Sequence, residues 1–449
     1  MNQIGRRRLM GLKNYLNGSR RCLWMFCKSN TLSSKIHSMK TVQEALATLL
    51  QQAQSVQESE LVTVSEALYR VLAVDQISAV HVPPNDNTQM DGYALRAQDV
   101  PLVGTVLSVT QRIPAGVMGQ QLLAGTAARI FTGASIPAGA DTVVMQEICQ
   151  PLAKPNELGV DYQIRITEIP QEGDWIRRRG EDITQGQVVL SAGTYLRPQE
   201  LGVAASAGLT HLEVKRRLKV AVFFTGDELT LPGQPLKPGG IYNSNRDTLL
   251  GCLKAIGCQV TDFGIVPDTL EATQKTLRLA ALEHDLIVTS GGVSVGEEDH
   301  IKPAVSAEGR LDMWQIAMKP GKPLAFGAIR KADTAQEAWF MGLPGNPVSS
   351  FVTFLLFVRP FVQVLQGRVS RPIPQLRLCA DFDWLKPDRR NEFLRVRVNE
   401  SGNLELFLNQ SSGVLTSAAW GDGLIDVAPG QKILRGDLVT YIPFSQLLS

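Results

Sequence analysis

Asp285-Leu-Ile-Val-Thr-Ser-Gly-Gly-Val-Ser-Val-Gly-Glu-Glu-Asp299 runs an apolar strand directly into a glycine loop that ends in three carboxylates. Ile287 and Val288 read as buried strand, while Gly291, Gly292 and Gly296 allow backbone N–H groups to approach an anion that side chains would hold off. Ser294 adds a hydroxyl inside the loop, and Asp299 stands where it can hold a divalent cation. Alone, the stretch reads equally as a tight βα connection. Two further segments change its weight: Leu218-Lys-Val-Ala-Val-Phe-Phe-Thr-Gly-Asp-Glu228 and Trp339-Phe-Met-Gly-Leu-Pro-Gly-Asn-Pro-Val-Ser349 are also strands that end in small, polar loops. In an open parallel sheet ligands bind at the carboxyl ends of strands, so three such loops converge on one crevice. Gly296 is followed by Glu297 and Glu298 rather than Lys and Ser/Thr, which excludes an ordinary Walker loop.

Outward from this stretch, strand and helix patterns alternate from Leu218 to about Gln366, the signature of a parallel or mixed sheet between helix layers. Short apolar runs between Gly and Pro turns fill residues 85–179, an inserted β domain. The flanking residues 39–84 and 180–217 read as one discontinuous helical domain. Within it Val42, Ala45, Leu46, Leu49 and Leu50, then Val62, Val64, Leu68 and Leu72, suggest two helical segments, and 186–211 suggests another. Residues 218–370 form the central α/β domain and 371–449 a β-barrel-like domain with period-two strands such as Arg395-Val-Arg-Val. The expected fold class is therefore multidomain α/β.

With 39 Gly and 24 Pro among 449 residues, 44 % hydrophobic and 20 % charged, the composition is that of a turn-rich globular chain. A net charge of +2 favours no nucleic acid. No run approaches the ~18 continuous apolar residues of a membrane span, so no membrane is expected. Six cysteines without a CxxC pair fit a reduced cytoplasm. Residues 1–38 are basic and contain no acid, and Met39 directly precedes a helix start at Lys40-Thr-Val-Gln-Glu. They read as an atypical extension, disordered or arising from an over-long start, with an organellar presequence as the alternative.

Other motifs have a bland reading and a functional one. Met90-Asp-Gly-Tyr-Ala94 and Ile130-Phe-Thr-Gly-Ala-Ser-Ile-Pro137 are readable as turns, so any role for Asp91 and Thr132 depends on their company. Ile176-Arg-Arg-Arg-Gly-Glu-Asp182 is readable as solvated charge, yet Gly180 would let Arg177 face an oxyanion while Asp182 faces a metal. Lys319-Pro-Gly-Lys-Pro323 presents two ammonium groups, Lys319 and Lys322, on a turn stiffened by proline, which suits a tetrahedral oxyanion. Asn346, Ser349 and the helix start beside them add neutral donors.

In order and spacing, MDGYA, TGAxxPxGAD, RRRGED, TGDEL, SGGVSVGExD, KPGKP and GLPGNPVS resemble the molybdopterin molybdenumtransferases, relatives of the E domains of gephyrin and plant Cnx proteins. The resemblance runs from about Met39 to the C-terminus. It implies insertion of molybdate into adenylylated molybdopterin with release of AMP, assisted by Mg²⁺. It implies catalytic positions at Asp91, Thr132, Arg177, Asp182, Glu228, Asp268 and Asp299, of which Asp182, Glu228, Asp268 and Asp299 are the metal candidates. It associates Lys319, Lys322, Ser349, Arg395 and Ser412 with molybdate or substrate anions, alongside Gly291, Gly292, Ser294 and Asn346. It further implies a homodimer whose cleft draws on both chains, and hand-over of substrate from the adenylyltransferase or of product to molybdenum enzymes.

Three positions depart from the family pattern: Gln315 for a usual Lys or Arg, Phe224 for a small hydroxyl, and Asp422 for Asn. The first removes a charge near the anion residues, so weaker molybdate binding or a larger role for Arg395 is expected. Two rivals are a molybdopterin adenylyltransferase, which does not need the MDGYA and RRRGED segments, and a gephyrin-like scaffold with a vestigial cleft. A chain beginning at Met39 is expected to match the full chain in solubility and activity; a loss of either on truncation would refute the reading of residues 1–38.

Overall fold

Lys219–Thr225, Leu286–Ser290 and Glu337–Leu343 lie side by side in parallel, with Phe224 opposite Ser290 and Ser290 opposite Leu343. The structure, a computed structural model, describes residues 39–293, 300–332, 336–369 and 373–448. The three strands belong to a six-stranded sheet whose order is Gln259–Val266, Lys219–Thr225, Leu286–Ser290, Glu337–Leu343, Pro323–Arg330, Gly309–Gln315. The first four are parallel, Pro323–Arg330 runs antiparallel to them, and Gly309–Gln315 pairs antiparallel with Pro323–Arg330. Alternate side chains of one strand serve opposite layers. Val220, Val222 and Phe224 pack with Leu249, Leu253 and Phe361 on one face, and Ala221 and Phe223 pack with Leu277, Ala281 and Ile301 on the other. The helices Ser244–Ala255 and Pro347–Leu365 therefore cover one face, and Leu270–Glu283 and Ile301–Glu308 the other.

Phe326 anchors the antiparallel side of this core, meeting Trp314, Trp339 and Phe361 with ring centroids 5.4, 5.4 and 5.5 Å away. Such pairs each add about 0.5–1.5 kcal/mol beyond burial. The helical run Pro347–Leu365 has the length and hydropathy of a membrane span, but 78 % of its most apolar window is buried in the protein, as a core helix would be.

Residues 53–73 differ from the expected helix. Only Val42–Gln52 is α-helical there, closed at its start by a reciprocal Thr41/Glu44 capping box. Ser59–Thr63 is a strand that pairs antiparallel with His211–Lys215, Val62 opposite Leu212. The β-branched Val62 and Thr63 suit a pleated partner better than a helix, and the pairing joins the segments before and after the inserted β block. Between 186 and 211 the helix is confined to Pro198–Ser206, while Val188–Leu190 pairs with Gln76–Ile77.

The β block is a six-stranded sheet containing Gly92–Leu95 and Thr126–Ile130, with Tyr93 and Leu95 facing one apolar cluster and Ala94 another. Toward the C-terminus, a further six-stranded sheet is built on Asn391–Val398 and takes Met318–Lys319 as an edge strand. Lys319 thus belongs at once to the central α/β sequence and to the C-terminal sheet. Cys149, Cys252 and Cys258 are buried free thiols, each pushed up to about 12 by desolvation, which makes them inert core residues.

Where the polypeptide enters the α/β core, Arg216 grips Asp285 with two bonds of 2.7 and 2.8 Å, and the Asp285 carboxylate also accepts from Lys219 N–H at 2.9 Å. This fixes the starts of two adjacent strands. Asp285→Ala is expected to lower unfolding stability by about 2 kcal/mol, the scale of a charged hydrogen-bond pair, read as a shifted urea midpoint. An unchanged midpoint would show that strand pairing alone sets this entry.

Candidate functional site

Ser290 ends the middle strand and is 3 % exposed, and its environment shows how the three loops meet. Its hydroxyl donates to Pro344 C=O at 2.9 Å and accepts from the Asn245 amide at 2.9 Å, and the same amide donates to Gly345 C=O at 2.7 Å. Asn245, in the first turn of the Ser244–Ala255 helix, therefore stitches two strand ends together. Gly291 closes the third side. Its φ is +101°, and a Cβ there would lie 2.9 Å from Thr225 C=O, so the loops touch through backbone where a side chain would block them. Gly292 follows with φ +62°. Ser294 and Asp299 lie outside the described residues.

Glu228 and Asp268 follow adjacent strands whose ends pair at Thr225 and Val266, so both stand at the carboxyl edge of the sheet. Asn346 precedes the Pro347–Thr353 helix as an exposed cap residue, and Ser349 is 4 % exposed within its first turns.

The lysine turn packs against that helix. Gly321 has φ +104°, and a Cβ on it would sit 2.6 Å from Thr353 Oγ1 and 3.4 Å from Ser349 C=O. Lys319 Nζ lies 3.0 Å from Glu392 and 3.6 Å from Asp388, so its charge is largely balanced within the protein. Glu392, 1 % exposed, is itself held by Trp384 Nε1 at 2.9 Å and Asp388 N–H at 2.8 Å. The Asp388 carboxyl is held well below the usual range, chiefly by its hydrogen bonds from Arg390. Lys322, by contrast, is exposed.

Arg395 is 1 % exposed, and its described side-chain acceptors are all neutral: Ser417 Oγ at 3.0 Å, and Phe393 and Ser411 C=O at 3.3 Å each. Desolvation pushes its guanidinium down to about 10, still charged at neutral pH. The next residue after Ser411 closes the circuit: Ser412 C=O accepts from Val348 N–H at 3.0 Å at the start of the Ser349 helix. The Arg395–Ser411 contact, the Val348–Ser412 backbone bond and the packing of Gly321 on Ser349 and Thr353 bring together the segments that carry Arg395, Ser412, Ser349, Lys322 and Lys319. A buried cation costs several kcal/mol unless an opposite charge compensates.

A second group forms at one end of the β block. Asp91 Oδ1 accepts from Thr132 N–H at 2.8 Å and Thr132 Oγ1 at 2.7 Å, and the backbone bond is the main reason its carboxyl lies below the ordinary value. Beside it, Arg129 donates to Gly92 C=O and Gln146, and stacks over Phe131 at 4.6 Å. Arg177 pairs with Asn87 on a short strand, while the neighbouring Arg178 side chain and Arg179 N–H are both bound by Asp86. Asp182 hydrogen-bonds through its backbone to Val82 and leaves its side chain exposed. Asp91 and Thr132 thus meet within the β block, while Arg177 and Asp182 stand where the chain leaves it, paired with Asn87 and Val82.

The three departures fall in different surroundings. Gln315 is exposed at a strand end, where its C=O accepts from Lys40 N–H. Phe224 is buried in the apolar core, and Asp422 accepts from Val398 N–H at 3.1 Å within the C-terminal sheet. Asn245, Glu392 and Ser417 escaped sequence reasoning. Only Asn245 had a signal, the polar run Tyr242-Asn-Ser-Asn at a helix start, since the other two acquire meaning from partners far away in the chain.

The family profile described as MoeA N-terminal region (domain I and II) matches residues 40–208, that of a probable molybdopterin binding domain residues 221–364, and that of the MoeA C-terminal region (domain IV) residues 377–444. A molybdopterin molybdenumtransferase of Haemophilus influenzae is 38 % identical over 419 residues, 91 % of this chain and 100 % of that one. Another, from a Nostoc species, is 34 % identical over 79 % of this chain and 80 % of its own. A molybdopterin biosynthesis moeA protein from Pyrococcus horikoshii superposes with a TM-score of 0.76 at 28 % identity, covering 90 % of this chain and 100 % of that one.

Gly321→Ala tests the lysine turn. The added methyl group must displace Thr353, so stability is expected to fall by about 1–3 kcal/mol and molybdate binding by about tenfold as Lys322 moves away from Ser349. Binding equal to wild type would show that the turn's position is immaterial to the anion.

Proposed function

The chain belongs to the molybdopterin molybdenumtransferase family, transferases of molybdenum cofactor biosynthesis, and on that premise we propose that it inserts molybdate into adenylylated molybdopterin and releases AMP. The observation that carries this reading is Arg395, a buried guanidinium with neutral acceptors only, in contact with the loop that also caps the Ser349 helix. Molybdate is a tetrahedral dianion. It would supply the compensating charge, with Lys322 as the open ammonium and Ser349 and Ser412 as neutral contacts. Lys319, already balanced by Glu392 and Asp388, would donate a directed hydrogen bond more than net charge. The loops at Gly291, Gly292, Ser294 and Asn346 would hold the phosphate and pterin portions of the substrate.

Among the described residues no group of three His, Cys, Asp or Glu side chains gathers as a metal site. Glu228 and Asp268 stand at one sheet edge, and with Asp182 and Asp299 they are the proposed divalent-cation set, completed by substrate phosphates. When bound, Mg²⁺ would offset the charge of the pyrophosphate. Family membership supports a homodimer in which one chain's β block, with Asp91 and Thr132, faces the partner's sheet edge. No side chain of either group is set up as a covalent nucleophile, so positioning and electrostatics would carry the rate. Such a protein would work in the cytoplasm, between the adenylyltransferase that supplies its substrate and the molybdenum enzymes that take its product. The adenylyltransferase reading leaves the regions 40–208 and 377–444 without a role.

The test follows AMP release from adenylylated molybdopterin with and without molybdate, together with reconstitution of a molybdenum enzyme. Wild type is expected to release AMP only with molybdate. Arg395→Met should need at least about tenfold more molybdate, the cost of one charged contact, and chelation of divalent cations should suppress turnover. Tight substrate binding without release would favour the scaffold, and an unchanged molybdate requirement in Arg395→Met would remove the assigned anion site.

A further inference from the structure

Arg359 is another buried arginine, 6 % exposed, and its described contacts include none of the molybdate candidates. It lines a cavity of about 850 Å³ bounded by Tyr69, the loop Ser191–Tyr195, the start of the Pro198–Ser206 helix, Arg368 and the C-terminal residues Gln446 and Leu448. None of the candidate site residues borders this cavity. One Arg359 nitrogen donates to Gln446 C=O at 2.9 Å, while its Nε–H is buried without an acceptor. With its amide oxygen turned toward the guanidinium groups, Gln363 accepts from Arg359 at 3.3 Å and Arg368 at 3.0 Å. The described acceptors of Arg359 are thus neutral, and its nearest charged neighbour is another arginine. Desolvation, and then the Arg368 charge, push the Arg359 guanidinium down to about 10.

The buried Arg359 guanidinium is costly to desolvate, and the Arg368 charge beside it adds to that cost. In the same wall Glu200 is paired with Arg197 at the head of the Pro198–Ser206 helix. The first turn of that helix opens on the same cavity and adds the positive end of its dipole. Arg368 lies 4.0 Å over the ring of Tyr195, which stacks with Tyr69 at 6.0 Å, so its planar fork is held in place.

We propose that this cavity is a second anion site, taking a small molecule that carries a dianionic phosphate group between Arg359 and Arg368. The forked donors of arginine match phosphate oxygens in pairs. The volume lies within the ~300–1,000 Å³ of ordinary ligand pockets, leaving room for the remainder of a phosphorylated metabolite. Arg359 sits ten residues beyond Ser349 on one continuous helical run, about 15 Å along its axis at 1.5 Å per residue, with a π-helical turn at Phe354–Val358 between them. The two anion sites are therefore opposite ends of one rigid element.

Calorimetric titration of the full chain with inorganic phosphate tests this, in the Lys322→Ala/Arg395→Met background so that the uncompensated cations of the molybdate site are removed, at ionic strength matched with chloride. One phosphate per chain is expected. Arg368→Gln, which leaves the buried Arg359 contacts to the C-terminal segment intact, should weaken it about tenfold, and Arg359→Gln at least as much. Absence of phosphate binding at millimolar concentration, or an affinity untouched by Arg368→Gln in the folded protein, would overturn the proposal.

Discussion

Parallel registration of three strand ends is the constraint from which the rest follows. Thr225, Ser290 and Leu343 end neighbouring strands, and the glycine at 291 lets their loops approach within backbone contact. Asn245 then spends both amide hydrogens tying Ser290 to Gly345. Because the loops are fixed at that depth, the helix that begins at Pro347 starts beside them, and its first turns receive the lysine turn from one side and the Ser411–Ser412 loop from the other. A one-residue slip in any of these strands would exchange the side chains that face its two apolar layers, so the packing on both faces protects the geometry of the edge.

Charge is distributed unevenly around this edge. Lys319 is balanced by Glu392 and Asp388, whereas Arg395 is buried among neutral oxygens and Lys322 is exposed. An incoming oxyanion would meet one ammonium already oriented by the protein, one free to approach, and one guanidinium that gains from a counter-charge. Such preorganisation costs stability in the empty protein and returns it on binding. Arg359 and Arg368 repeat the pattern at the far end of the same helix, which gives the fold two places where an anion would relieve a buried positive charge.

Much of this was legible in the sequence because it is local. Strands such as Leu286–Ser290 announce themselves by composition, and period-two alternation in Asn391–Val398 needs no tertiary knowledge. The helix expected through Val62–Leu72 gives way to the strand Ser59–Thr63 and a short 3₁₀ turn at Val64–Ala67, because the partner that decides the matter, His211–Lys215, is about 150 residues away. Shorter separations, 73 residues from Lys319 to Glu392 and 22 from Arg395 to Ser417, hid those partners as well. Motif spacing marked both cations, but nothing in it tells that one is neutralised and the other is not. The carboxylates at 228 and 268 were readable as strand-end residues, while a complete cation set depends on a loop outside the described residues and on a facing lobe.

The account stands on where the metal oxyanion sits. Anomalous scattering at the molybdenum edge, from crystals of the full chain grown with molybdate, locates it directly. Density among Lys322, Ser349, Arg395 and Ser412 is the predicted result. Molybdate bound elsewhere, with that position empty at saturating concentration, would contradict it.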